Sequence, residues 1–223
     1  MNIRHTLPLF LLGLALVSCG PRPELPRISP ADSLSIVAQN LRHRSAVDEF
    51  MRTDQGSPFH RDSTVTYGGI KWFPVDPRYR VTSLLYRYET PETVTVMGTR
   101  GEERRNLKYG YFEFVVPDTA GNARQCRINV YKFTPYDGQR YQLYRDHLSV
   151  WFTDETTGKE TYDVGRYVEI GIEFPDPAHV YMIDFNRAYN PYCAYTSLYS
   201  CAIPREEDHL DIPLRVGEKK YHD

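Results

Sequence analysis

Residues 125–132 alternate with a period of two, and no other feature of the chain limits its fold so tightly. Cys126, Ile128 and Val130 fall on one side, and Gln125, Arg127, Asn129 and Tyr131 on the other. Successive strand side chains point to opposite faces, so the pattern describes a sheet with one buried and one wet face. From Gly56 onward, short apolar segments recur between turn residues. They lie at 70–73, 81–88, 93–97, 104–109, 111–116, 148–152, 167–170 and 180–185, with a turn expected at 89–92 and a hairpin at 98–101. Segment 209–216 contains Pro213 and is compatible only with an edge strand. The 18 Tyr, 10 Phe and 2 Trp favour strands as well. The expected fold is mainly β, an antiparallel β-sandwich or small β-barrel with one N-terminal helix.

That helix is expected over 30–51. Ser29 offers an N-cap hydroxyl, Pro30 suits the first helical position and Asp32 is the acid three residues after the cap. Leu34, Val37, Ala38 and Leu41 then recur at helical spacing, leaving Arg42, His43, Arg44, Asp48 and Glu49 for a solvated outer face.

The amino terminus resembles a bacterial lipoprotein signal. Arg4 precedes an apolar run at 7–17 that is too short to span a bilayer, and Leu16-Val17-Ser18 leads into Cys19. This resemblance implies a signal peptide at 1–18, lipid on Cys19, a proline-rich tether at 19–28 and a single β-rich domain at 29–223. The membrane would be reached through that lipid, in the bacterial envelope and at the outer membrane facing the periplasm. A net charge of −2 gives no electrostatic footprint for nucleic acid. Export would place Cys126, Cys193 and Cys201 in an oxidising compartment, where an odd number leaves one unpaired within the chain. Alternation puts Cys126 inward, as an inert buried thiol.

Phosphate loops, dinucleotide-binding glycines, nucleophile elbows and paired-histidine zinc helices are all absent from the sequence. The stretch 184–201, DFNRAYNPYCAYTSLYSC, instead crowds polar and aromatic groups after an apolar run. Together with Trp72-Phe73-Pro74-Val75-Asp76, the segment 152–162 and Gly165-Arg166-Tyr167, it resembles the signature of the bacterial domain of unknown function 1684 family. The likeness runs from the helix to Gly217-Glu218-Lys219. It implies a shared fold and a shared site region, without a reaction or a cofactor.

Candidate residues in this region are Tyr162, Arg166, Asp184, Asn186, Tyr189 and Asn190, as a ligand site or a structural polar cluster. Arg166 and Asp184 are expected to pair across a sheet. Cys193 and Cys201 are spaced for a disulfide that staples the loop, with zinc on these thiols and His209 as the alternative. Oxygens of Asp184, Asn186 and Asn190 could hold a hard cation or cap turns, and the second reading leaves no metal assigned. The function expected is a lipid-anchored envelope protein with a binding or scaffold domain. The alternative is a carboxylate- or metal-dependent hydrolase acting on an envelope or glycan substrate, drawing on Glu160, Glu169 or Asp184.

Overall fold

A computed structural model describes residues 23–222. The signal peptide expected at 1–18 and the lipid site expected at Cys19 lie outside the described residues. Helix α1 (Pro30–Thr53) starts as its sequence dictates, with the Asp32 N–H donating to the Ser29 hydroxyl at 3.1 Å. Its buried face differs from the expected one. Leu34 and Leu41 are 72% and 53% exposed, whereas Asn40 and Met51 are buried and Val47 and Phe50 pack into an aromatic cluster. Arg44 also turns inward, donating to the Phe73 carbonyl at 2.8 Å with its guanidinium 4.7 Å from the Trp72 ring centre. The helix docks on a surface rich in acceptors, so the stripe through Asn40, Arg44 and Val47 satisfies more of it than the Leu34–Leu41 stripe could. A one-turn helix, α2 (Pro58–Arg61), follows. No helix among the described residues is long and apolar enough to cross a membrane.

Two sheets follow. Strands β1 (Arg80–Leu84) and β7 (Val180–Asp184) form a two-stranded antiparallel sheet. The larger sheet orders β2 (Tyr86–Met97), β3 (Glu103–Pro117), β4 (Ala123–Phe133), β5 (His147–Asp154) and β6 (Arg166–Ile172) as antiparallel neighbours. Helix α3 (Gln139–Tyr144) joins β4 to β5. The core lies between the sheets, where Phe112, Phe114, Ile128, Val130, Val150 and Phe152 meet Val81, Tyr181 and Ile183. This is the sandwich arrangement, with the large sheet open from β2 to β6 and no closed barrel.

Several local expectations change. The turn at 89–92 lies inside β2 as a register shift between Arg87 and Glu92, on an edge strand where Pro91 forfeits no ladder bond. Segment 70–73 contributes only an isolated bridge between Trp72 and Glu218. Of 209–216, only β8 (His209–Leu210) pairs, and it runs parallel to β5. The wet face expected of β4 is covered at Asn129 and Tyr131, because the Asp208 carboxylate accepts from both side chains.

Arg166 does not pair with Asp184. Its guanidinium is 1% exposed and meets the Asp154 carboxylate at 2.7 Å, while donating to the carbonyls of Leu214, Val216 and Glu218. Gly165 makes the approach possible. Its φ is +116°, and a side-chain carbon there would stand 2.5 Å from the Phe152 carbonyl oxygen. The Arg166–Asp154 pair thus joins β6 and β5 to the segment beyond β8, which no strand ladder holds among the described residues. Replacing Arg166 by Met or Asp154 by Asn is expected to lower the unfolding free energy by about 3–5 kcal/mol, since each leaves a buried polar partner uncompensated. Urea denaturation measures this, and an unchanged midpoint in either variant would remove the clamp from the stability of the fold.

Candidate ligand-binding site

Strand β7 ends at Asp184, whose Cα partner across the sheet is Arg80. The Arg80 guanidinium approaches Asp184 Oδ2 at 2.7 Å, and Asn40 Nδ2 of α1 donates to the same oxygen at 3.0 Å. Asp184 Oδ1 caps the following turn, accepting from the Asn186 backbone N–H at 3.1 Å and from Asn186 Nδ2 at 3.0 Å. Both carboxylate oxygens are therefore engaged within the fold. Asn186 also fixes Asp76, accepting from its N–H at 2.8 Å and donating to its carbonyl at 2.9 Å.

The chain then turns under the C-terminal segment. Asn190 Nδ2 donates to the Lys219 carbonyl at 2.9 Å, and the Asn190 N–H donates to Glu218 Oε2 at 2.8 Å. The Tyr195 hydroxyl donates to the same Glu218 oxygen at 2.6 Å. Backbone bonds hold Glu218 from both sides, with its own N–H on the Ala188 carbonyl and the Phe73 N–H on the Gly217 carbonyl. Gly217 has φ of +77°, and a side-chain carbon there would lie 2.5 Å from the Ala188 oxygen, so glycine is required for this passage.

Between α1, β6, β7 and this loop lies a cavity of about 600 Å³. Its apolar walls are Val47, Phe50 and Met51 of α1, the Trp72 ring, Met182, and a run of tyrosines at 167, 189, 192 and 199. His43, Glu169, Asp184, Arg187 and Glu218 supply its polar groups. Burial pushes the Glu218 carboxyl up to about 7, against the opposing pull of the Tyr195 hydroxyl and the Asn190 N–H. Burial also lowers the His43 pKa, and the nearby Arg187 cation lowers it further, so this imidazole is neutral at pH 7. Arg187 Nε is buried without a hydrogen-bond partner, its nearest acid being Asp184 at 3.7 Å.

Of the six residues named from sequence, Asp184 and Tyr189 line this cavity, while Arg166, Asn186 and Asn190 build its frame. Tyr162 lies to the side, its hydroxyl 3.4 Å from the Cys193 carbonyl oxygen. Among the other carboxylates proposed from sequence, Glu169 reaches the cavity, whereas Glu160 is bonded at the surface to Arg215. Sequence reasoning missed His43, Trp72, Arg187 and Glu218. The helical spacing of Asn40, His43, Val47 and Phe50 carried the signal for His43, and the adjacent Gly217 was the local sign at Glu218.

No bond joins Cys193 and Cys201 in the structure, where both are thiols. They are neighbours, with the Cys193 N–H donating to Cys201 Sγ at 3.3 Å. Hydrogen bonding from Cys201 lowers the Cys193 pKa, and the same contact raises that of Cys201. Cys126 packs against the core, where burial raises its thiol to about 11. His209 is instead 3.0 Å from the Thr153 hydroxyl, and among the described residues no group of three His, Cys, Asp or Glu side chains is placed to hold a metal ion.

These features define a two-sheet β domain with a helix-walled, aromatic cavity on its flank. The chain belongs to the family described as "Protein of unknown function (DUF1684)", whose profile matches residues 65–219. It is similar to the solution NMR structure of an uncharacterized protein from gene locus rrnAC0354 of Haloarcula marismortui. That likeness has 28% identity and a TM-score of 0.55, covering 86% of this chain and 97% of the other. No curated protein matches the chain.

The raised carboxyl ties stability to pH. Glu218 has a higher pKa folded than unfolded, so its contribution is fully present below about pH 4.5 and is lost as pH rises through about 7. Wild type should therefore lose on the order of 3 kcal/mol relative to Glu218→Gln across that window. Parallel urea titrations at pH 4, 6 and 8 compare the two chains, and a constant difference would refute a buried, titrating Glu218.

Proposed function

We propose that the protein is a lipid-anchored envelope protein whose β-rich domain binds a small ligand with a flat apolar body and one anionic group. The cavity carries this reading. Aromatic and aliphatic walls enclose about 600 Å³, within the range of small-molecule sites, and few polar groups converge there. Arg187 brings a guanidinium with an unused buried donor, suited to a carboxylate or phosphate, and neutral His43 can add a hydrogen bond. Asp184 acts as a positioning group for β1, β7 and α1, because its oxygens are engaged by Arg80, Asn40 and Asn186. Anchoring rests on the sequence around Cys19.

One observation favours a second reading, a hydrolase. A buried carboxyl with a pKa near neutrality is suited to proton transfer, and Glu218 shares the cavity with Glu169. Under that reading, Glu218→Gln keeps ligand affinity and loses turnover. A further part of the proposal concerns Cys193 and Cys201. Their proximity allows thiol–disulfide exchange after export, in which both thiols give up their protons and an external disulfide is reduced to two thiols.

Trp72 lines the cavity and reports on it. Titration of the Trp151→Phe chain with 2-naphthoate should quench Trp72 fluorescence saturably, and naphthalene-2-carboxamide should bind at least about tenfold more weakly. Arg187→Ala should erase that preference, and equal binding of both probes to the parent chain would defeat the anionic-ligand reading. Anchoring has a separate readout, since Cys19→Ser should move the protein from the membrane fraction to the soluble one. Thiol counting under denaturation of exported protein should find two more thiols after reduction than before, and an unchanged count would dismiss the disulfide.

A further inference from the structure

The face of the large sheet turned away from the main core bears a second cavity, of about 300 Å³. It adjoins the first, since Tyr167, Glu169, Tyr189 and Cys201 line both. Strand alternation builds it. On β5, Leu148, Val150 and Phe152 enter the core, which leaves Ser149 and Trp151 for the opposite face, beside Asn106 of β3. Trp151 stacks on Tyr131 with ring centres 4.8 Å apart and planes at 14°, so the indole is held rigidly.

Three residues of this cavity keep a buried polar atom without a hydrogen-bond partner. They are Trp151 through Nε1, Asn106 through Oδ1 and Asp137 through Oδ2. Trp151 and Asn106 are 5% and 3% exposed, and a buried polar group left unpaired is costly. The indole N–H can only donate, whereas an amide oxygen and a carboxylate oxygen can only accept. A phosphate would answer the donor and be repelled by Asp137, while an ammonium would answer the acceptors and leave the indole unpaired. Arg104 does not alter this balance, because Glu102 at 2.6 Å and the Ser200 carbonyl at 2.7 Å already engage it. A hydroxyl both donates and accepts, and neighbouring hydroxyls on one ring can answer all three atoms.

We propose that this second cavity binds a neutral saccharide ring, held by Trp151, Asn106 and Asp137. Its volume lies at the lower end for ligand sites, which fits a single ring and not an oligosaccharide. The aromatic rings of Tyr144, Tyr167 and Tyr189 offer faces for the C–H surface of a sugar. The proposal stands on the second cavity and does not depend on the ligand of the first.

The chain has two tryptophans, one in each cavity, so single substitutions separate the two sites. Full-length Trp72→Phe protein in a zwitterionic, non-glycosidic detergent carries Trp151 as its sole indole. It is titrated with glucose, galactose, mannose and N-acetylglucosamine, and separately with inorganic phosphate and ethylammonium. At least one saccharide should change Trp151 fluorescence saturably at or below about 10 mM. In that background Asn106→Leu and Asp137→Asn should each weaken the response about tenfold or more, with little change in melting temperature. If Asn106→Leu fails to fold, the partly exposed Asp137→Asn decides alone. The proposal is overturned if none of the four sugars titrates, if phosphate or ethylammonium binds in their place, or if Asp137→Asn binds sugar as the parent does. Naphthoate quenching of Trp72 in the Trp151→Phe chain reads the first cavity, so failure of one site leaves the other to be judged separately.

Discussion

The buried pair of Arg166 and Asp154 holds the C-terminal segment against the sandwich. Three backbone carbonyls, of Leu214, Val216 and Glu218, terminate on one guanidinium that is itself neutralised at 2.7 Å. Arginine suits this place because its planar fork offers several donors in fixed directions, which a lysine ammonium does not. Among the described residues no ladder holds the segment beyond β8, which is tied by the isolated bridge at Trp72 and Glu218 and by single backbone bonds such as that of the Glu218 N–H to the Ala188 carbonyl. Ile212, Leu214 and Val216 add apolar burial on the same stretch, so the clamp sets register while the core supplies the hydrophobic drive.

That register puts Glu218 beside the larger cavity. Gly217 takes a positive φ under the Ala188 carbonyl, and the next residue is then held by Asn190 and Tyr195. Two acids of the cavity thus have contrasting surroundings. Asp184 lies against Arg80 with its oxygens fully engaged, whereas Glu218 is buried with its pKa raised to about 7. The first organises the frame, where α1, β1 and β7 meet at a single carboxylate. The second is the group free to change its protonation near neutral pH.

Much of the fold was legible along the chain. Ser29-Pro30-Ala31-Asp32 announced the start of α1, and alternation located β4 and its inward Ile128 and Val130. The stretch after β7 was correctly marked as the place where polar groups gather, yet the role of each residue was not. Asp184 takes Arg80 as its partner instead of Arg166, because β1 is the strand paired with β7. Tyr131 looked solvent-facing and is fully buried, because Asp208 returns from 77 residues away to cover it. The helix face was misjudged for a related reason: Leu34 and Leu41 have the apolar spacing, but the surface beneath α1 offers Asp184 and the Phe73 carbonyl to Asn40 and Arg44.

By itself the sequence determined the class of fold, the start of α1, most of the strands and the crowding of polar side chains after β7. Those properties depend on neighbours within a few residues, through pleat, helical period, caps and turn residues. Only the tertiary structure decided which charges pair, which helix face is buried, and that Glu218, His43, Arg187 and Trp72 share one cavity. Each of those outcomes joins residues far apart in the chain, and a desolvated charge selects its partner by distance and available donors, which local sequence does not encode.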